Sequence, residues 1–270
     1  MPLQLADPSG AKRSNLAFAL RSLPRDRRED AFTFYAFCRA VDDIADDPGR
    51  SSSEKNRLLG VWKSALETAQ GLPRPLSTLI ERRNLDPRLL HEILLGVEMD
   101  IEPRHYATYE DLRAYCWRVA CAVGLVSIRI FGCTDPASTT YAEHLGQALQ
   151  LTNILRDVGE DAALGRIYLP IADLRLFRVS EESLLAGNPG GDFPGLMHYE
   201  ATRARELFQK ARQALPRSDA RALIPAEAMR AIYEKILQRM TTDHFRVFQK
   251  RYRVPLWQKL LLLGQSIARR

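Results

Sequence analysis

The chain has 270 residues, 46% hydrophobic and 27% charged, with a formal net charge of +6 and a pI near 9.2. That composition suits a globular protein with one sizeable core and excludes a disordered or collagen-like chain. The basic balance points to an anionic partner, whether nucleic acid, a membrane surface or a phosphorylated small molecule, without choosing among them.

In chain order the sequence reads as helix after helix. Residues 1–9 hold no apolar run, so no signal peptide is expected, and a cytoplasmic protein is. A broad apolar face of Phe34, Tyr35, Phe37, Cys38 and Val41 predicts a helix from Asp26 to Asp46, stopped by Pro48 and Gly49. The run Ser51 to Glu54 caps a helix through Leu66 that Gly71 ends. Further helices are predicted over Pro87–Met99, Tyr109–Phe131, Pro136–Asp161, Phe193–Leu215, Ala226–Lys250 and Pro255–Ala268, with a loop over Gly187–Gly195. No segment alternates with a period of two and no repeat recurs, so residues 1–270 are expected to form one all-α domain. The longest apolar stretch, Val119 to Ile128, falls short of the roughly 20 residues of a bilayer span.

The four cysteines, Cys38, Cys116, Cys121 and Cys133, form no CxxC pair. The spacing of Cys116 and Cys121 suits neither a zinc site nor one face of an α-helix, so buried reduced thiols are expected.

Two acidic clusters lie where helices disfavour them. Asp42, Asp43, Asp46 and Asp47 crowd the end of the first long helix, and Asn153, Asp157, Glu160 and Asp161 crowd the end of another. A helix C-terminus carries partial negative charge, which costs each carboxylate there about 0.3–1 kcal/mol. Asp42 and Asp46 stand four apart, as do Asp157 and Asp161, which puts each pair on one face at about 5–6 Å. Such pairs suit Mg²⁺, which keeps several waters and binds phosphate oxygens together with one or two carboxylates. A lone pair of this kind is usually only a solvated acidic helix end. Two copies beside Arg39, Arg156 and Arg166, in a basic chain, favour a cage for metal and diphosphate.

The strings FYAFCRAVDDIADD (Phe34 to Asp47), YCWRVACAVG (Tyr115 to Gly124) and LTNILRDVGEDAALGRIYLP (Leu151 to Pro170) resemble, in order and spacing, the signatures of the squalene/phytoene synthase family. The stretches GVEMDIEPRHYATYEDLRAYC and FQKRYRVPLWQKLLLL are most similar to bacterial presqualene diphosphate and squalene synthases of hopanoid pathways. The resemblance implies an all-helical isoprenoid synthase fold with a central cavity. It implies that Asp42, Asp43, Asp46, Asp157, Glu160 and Asp161 bind Mg²⁺, with Mn²⁺ as a substitute, and that Arg39, Arg156 and Arg166 contact diphosphate. Tyr35 and Tyr115 are then expected in the reaction chamber, with Gln150, Asn153, Tyr168 and Tyr233 at substrate-binding positions. Many relatives carry a His/Ser/Lys/Ser/Phe-like diphosphate clamp near the N-terminus. Here the matching stretch is Lys12, Arg13, Ser14, Asn15 and Leu16, which keeps cationic character without the histidine and phenylalanine.

The implied reaction is head-to-head condensation of two farnesyl diphosphates to presqualene diphosphate, with squalene as a further product. A carbocation needs a dry wall, and Ala120, Gly124 and Ser127 leave room for a prenyl chain on one side of their helix. The same small residues equally suit close packing of two helices. Phytoene synthase, acting on two geranylgeranyl diphosphates, is the nearest alternative. A non-catalytic relative acting as an assembly or binding factor is disfavoured because every cluster acid is present. No GxGxxG fingerprint appears, which leaves NADPH use open, and nothing resembles a helix-turn-helix or a basic stripe interleaved with aromatics, so no nucleic acid is expected. The basic, apolar C-terminal segment from Lys250 fits either a final packing helix or a peripheral contact with an anionic membrane.

Overall fold

The structure, a computed structural model, describes residues 3–7, 14–102 and 104–268. Lys12 and Arg13 lie outside these residues. Among the described residues every regular element is helical. The expected long helices form as α2 (Arg25–Asp46), α3 (Ser52–Thr68), α5 (Pro87–Glu98), α8 (Ala137–Ala163), α11 (Phe193–Ala214), α12 (Ile224–Thr242) and α13 (Leu256–Ala268). Four shorter helices, α1 (Asn15–Leu20), α4 (Arg74–Arg83), α9 (Ile171–Leu176) and α10 (Glu181–Leu185), have no counterpart among the sequence expectations. Helices this short draw their stability from packing rather than from local sequence.

α12 ends well before Lys250. His244 and Phe245 adopt left-handed φ values of 50° and 51°, and the Phe245 amide donates back to the Met240 carbonyl at 2.8 Å. The turn buries Phe245 and Val247 in the core, a gain that local sequence does not signal. α3 begins as expected, with Ser51 Oγ accepting from the Glu54 amide at 3.3 Å.

The helix expected over Tyr109–Phe131 is continuous but not uniform. α6 (Tyr109–Cys116) opens with a capping box between Thr108 and Asp111 and runs into a π turn at Trp117–Cys121, after which α7 (Ala122–Phe131) ends at Gly132. Gly132 has φ +80°, and a Cβ there would meet the Arg27 guanidinium at 2.7 Å. Arg27 in turn donates to the Phe131 carbonyl. This composite helix is long and apolar enough to cross a bilayer, yet it runs through the bundle against α5 and α8. Its apolar side chains are covered there, while Arg118 pairs with Glu92 and Arg129 stays exposed.

Glycines set how closely these helices meet. A Cβ on Gly96 of α5 would lie 2.7 Å from Val119 Cγ1, and one on Gly146 of α8 would lie 2.9 Å from Cys121 Cα. The π turn also revises the reading of Cys116 and Cys121. Its i to i+5 pitch brings residues five apart onto one side, and each thiol is buried, with the charge of one felt at the other.

One buried charge cluster ties α6, α9 and α11 together. Arg203 donates to Asp173 Oδ2 at 2.6 Å and to Glu200 Oε1 at 2.7 Å, with its guanidinium 4.1 Å over the Tyr109 ring and 4.4 Å over the Tyr199 ring. Burial raises the Glu200 carboxyl to about 8 against the pull of Arg203, with Asp173 adding to the rise. A raised carboxyl contributes stability that is complete below the usual range near 4.5 and is lost as pH rises through about 8. The melting temperature should therefore fall from about pH 6 to pH 9 more steeply in the parent protein than in Glu200→Gln. Parallel melting curves across that range would refute the assignment.

Candidate active site

α2 and α8 both end in acid, and neither has a basic residue in its last turn. The cations that offset these charges arrive from elsewhere in the chain. Lys55 of α3 donates to the Ala45 carbonyl at 2.6 Å, covering the end of α2. Arg166, just past α8, stands 3.7 Å from Asp46 of α2 and donates to the Asp100 carbonyl at 3.0 Å. It thus joins the two acidic ends and the loop after α5. Arg39 pairs with Asp43 on its own helix. Arg156 grips Asp157 with two bonds, at 2.8 and 2.5 Å, and is also hydrogen-bonded with Tyr233. Arg251, from the segment between α12 and α13, reaches Asp157 at 3.2 Å and Glu160 at 2.8 Å.

That segment lies hard against α8. A Cβ on Gly159 would fall 2.6 Å from the Val247 carbonyl oxygen and 3.0 Å from Phe248 Cα. Glycine at this position lets the chain that carries Arg251 reach the second acidic cluster.

Asp100 is a group that the sequence reasoning missed. It accepts from Tyr115 at 2.9 Å and from Tyr168 at 2.8 Å, and those two rings stack at 5.4 Å with Tyr106 beside both. Burial raises its carboxyl against the pull of the two phenols and Arg166. Burial also pushes Asp42 to about 7, opposed by Arg39 and reinforced by Asp46, Asp100 and Asp43. Asp161 rises to about 7 for the same leading reason, with Asp157, Asp100 and Glu160 adding and Arg166 opposing. Asp100 is common to both sets, so the two acidic ends share one electrostatic field. Burial also raises Tyr115 and Tyr168 far above the usual phenol range, and both stay protonated donors.

Below this polar head lie two apolar chambers of about 280 and 220 Å³. They share a wall of Leu16, Val119, Val123, Ser127, Phe131 and Asn153. The first is rimmed by Tyr35, Arg39 and Asp42, and the second by Gln150, Asn153 and Tyr233. Ala120 and Gly124 line the second, while a Cβ on Gly124 would stand 3.2 Å from the Ala142 carbonyl oxygen. The small residues therefore serve both close packing and chamber space.

Three expected residues have other surroundings. Tyr115 and Tyr168 line neither chamber; they stack on each other beside Asp100, with Tyr115 buried. Ser14 caps α1, its Oγ accepting from the Ala17 amide at 3.4 Å, two residues before chamber-lining Leu16.

The donor set fits Mg²⁺. Among the described residues no three acid, imidazole or thiol groups converge to hold an ion unaided. Mg²⁺ needs no such cage, because it binds through one or two carboxylates while substrate phosphate and water fill the remaining positions. Asn153 Oδ1, on the stripe with Asp157 and Asp161, is buried without a hydrogen-bond partner. A buried orphan acceptor is costly and suits a cation or a donor brought by ligand.

The squalene/phytoene synthase family model matches residues 10–258. The chain is 34% identical to the 15-cis-phytoene synthase of Synechococcus elongatus, over 92% of this chain and 86% of that protein. It is 33% identical to the phytoene synthase of Arthrospira platensis, over 89% and 84%. Among solved structures it is similar to a dehydrosqualene synthase bound to a ligand, with a TM-score of 0.80, 26% identity and coverage of 97% and 94%. It is also similar to the squalene synthase HpnC of Alicyclobacillus acidocaldarius, with a TM-score of 0.78, 28% identity and coverage of 88% and 92%.

Proposed function

The chain belongs to the squalene/phytoene synthase family of prenyltransferases, and from that premise we propose that it joins two farnesyl diphosphates head to head to form presqualene diphosphate. The observation that carries this reading is the pairing of two acidic, arginine-studded helix ends with apolar chambers of about 280 and 220 Å³. The chambers share six lining residues and so form one divided cavity with room for two prenyl chains, and the farnesyl length rests on the similarity of Gly96–Cys116 to bacterial presqualene diphosphate synthases.

Asp42, Asp43, Asp46, Asp157, Glu160 and Asp161 are the residues that would hold Mg²⁺ or Mn²⁺, which supplies charge neutralisation for a departing diphosphate. Arg39, Arg156 and Arg166 exchange their present carboxylate and carbonyl partners for diphosphate oxygens, a match for the guanidinium fork. The allylic C–O bond breaks and its electron pair leaves with the diphosphate. Val119, Val123 and Phe131 keep water from the resulting cation, while Tyr35 faces it from α2. The double bond of the second substrate then supplies the pair for the new C–C bond. Proton loss closes the cyclopropane. Asp100, with Tyr115 and Tyr168 donating to it, is assigned to hold and orient that proton traffic beside the cage.

A second reading is condensation of two geranylgeranyl diphosphates, favoured by the names of the phytoene synthase relatives at 33–34% identity. The deciding experiment incubates the purified protein with Mg²⁺ and each diphosphate, with and without NADPH, and identifies lipids after phosphatase treatment. Presqualene alcohol from farnesyl diphosphate is expected, and squalene appearing only with NADPH would extend the reaction one stage. Phytoene from geranylgeranyl diphosphate alone would transfer the assignment to the second reading, and no turnover of either would reject both.

A further inference from the structure

The helix α13 is amphipathic in the inverted sense. Most of its polar residues face the protein: Gln258 Oε1 accepts from Arg239 at 2.6 Å, Ser266 is buried and Lys259 is half-buried, while Gln265 is exposed at the edge of the apolar face. Leu262 and Leu263 pack alongside them on the core. Its outward face is apolar, with Leu256 64%, Trp257 65%, Leu260 55%, Leu261 54% and Ile267 51% exposed. Spacings of four and seven align Leu256 with Leu260 and Ile267, and Trp257 with Leu261 and Gly264, so the exposed residues form one continuous stripe. Scattered surface leucines need no explanation, but a contiguous apolar stripe marks an interaction surface.

The charge around the stripe identifies its partner. After Asp243 the sequence holds Arg246, Lys250, Arg251, Arg253, Lys259, Arg269 and Arg270, with no acidic residue among them. Lys250 and Arg251 are spent on Asp243, Asp157 and Glu160, whereas Arg253 is exposed immediately before the stripe. An apolar face flanked by cations, with a tryptophan at its start, matches the boundary of an anionic bilayer. At 13 residues the helix is too short to span one, which takes roughly 20. We propose that α13 lies flat in an anionic lipid surface, with Leu256, Trp257, Leu260, Leu261 and Ile267 in the acyl boundary and Arg253 at the headgroups.

The position of this contact bears on the catalytic site. Leu256 follows Arg251 by five residues, so their Cα atoms are at most about 18 Å apart. Arg251 itself touches the second acidic cluster. Docking therefore sets the bilayer beside the end of the molecule where, on the proposed function, a lipid is made. The docking itself rests on α13 alone and does not depend on that reading.

The test is sedimentation of the full chain with vesicles of phosphatidylcholine, with or without phosphatidylglycerol. Binding is expected to the anionic vesicles, to weaken with salt, and to shift Trp257 emission to shorter wavelength, a shift absent in Trp257→Phe. Leu260→Gln with Leu261→Gln should lower the partition coefficient at least about tenfold, since membrane binding scales with the apolar area buried. Arg253→Ala should weaken binding to the anionic vesicles only. Both sets of changes are on exposed side chains, and an unchanged circular dichroism spectrum checks the fold. Equal binding by the leucine double variant, or no binding to either vesicle, would overturn the proposal; a dimer that the double variant abolishes would then assign the stripe to a second copy of the chain.

Discussion

Asp161→Asn should abolish most turnover and, in the metal-free protein, raise the melting temperature. Asp161 sits in the last turn of α8, where the helix end is already negative, and Asp157, Glu160 and Asp100 add like charge around it. Arg166 offsets that crowding in part. Asparagine keeps the shape and removes the charge, so the fold is relieved of repulsion and of the cost of burying a carboxylate. The proposed function needs that charge for its metals, and losing one preorganised electrostatic group typically costs about 10²–10³ in kcat. Mg²⁺ with inorganic diphosphate should stabilise the parent protein against heat and stabilise the variant much less, because a ligand stabilises only the state that binds it. Normal turnover in the variant, or a lower melting temperature without metal, would remove Asp161 from the site.

The second large effect is expected at Asp100. One carboxylate accepts two phenol protons, from Tyr115 and Tyr168. Asparagine offers one acceptor and one donor, so one of the tyrosines meets an N–H where it met an oxygen. Hydrogen bonds to a charged group are worth about 1.5–3 kcal/mol, so Asp100→Asn should lower kcat by about 10- to 100-fold with KM little changed. A double-mutant cycle with Tyr115→Phe separates this from simple damage. If the pair acts as a unit, the double variant loses much less than the product of the two single losses. Independent, multiplicative losses would show that Asp100 and Tyr115 do not work together.

Neither expectation at Asp100 was available from the sequence. Asp100 lies alone in a turn, with no spaced partner, and only the fold brings Tyr115 and Tyr168 to it, from 15 and 68 residues further along the chain. The acidic pairs were legible because their chemistry is written at a four-residue spacing on single helices. Tyr233 reached the site by a different route, through its contact with Arg156 across two helices. Arg251 was in the quoted C-terminal stretch, but its reach to Asp157 and Glu160 depends on the turn at His244 and Phe245, which has no glycine or proline to announce it. The long helices were legible from apolar periodicity. The short ones, such as α9 and α10, were not, because packing against the long helices, rather than their own propensity, holds them.

The π turn at Trp117–Cys121 changes what a single residue means in this helix. One surplus residue rotates everything before it by about 100° relative to everything after it. Tyr115 can therefore face Asp100 while Ala120, Gly124 and Ser127, further along the same rod, face the second chamber. The helix works as a cam with two lobes set at different angles. Insertions and deletions are usually confined to surface loops. Here the count of residues inside a core helix fixes the angle between the end that meets Asp100 and the wall of the second chamber, so an ancestral gain or loss of one residue would have retimed the two halves of the site at once.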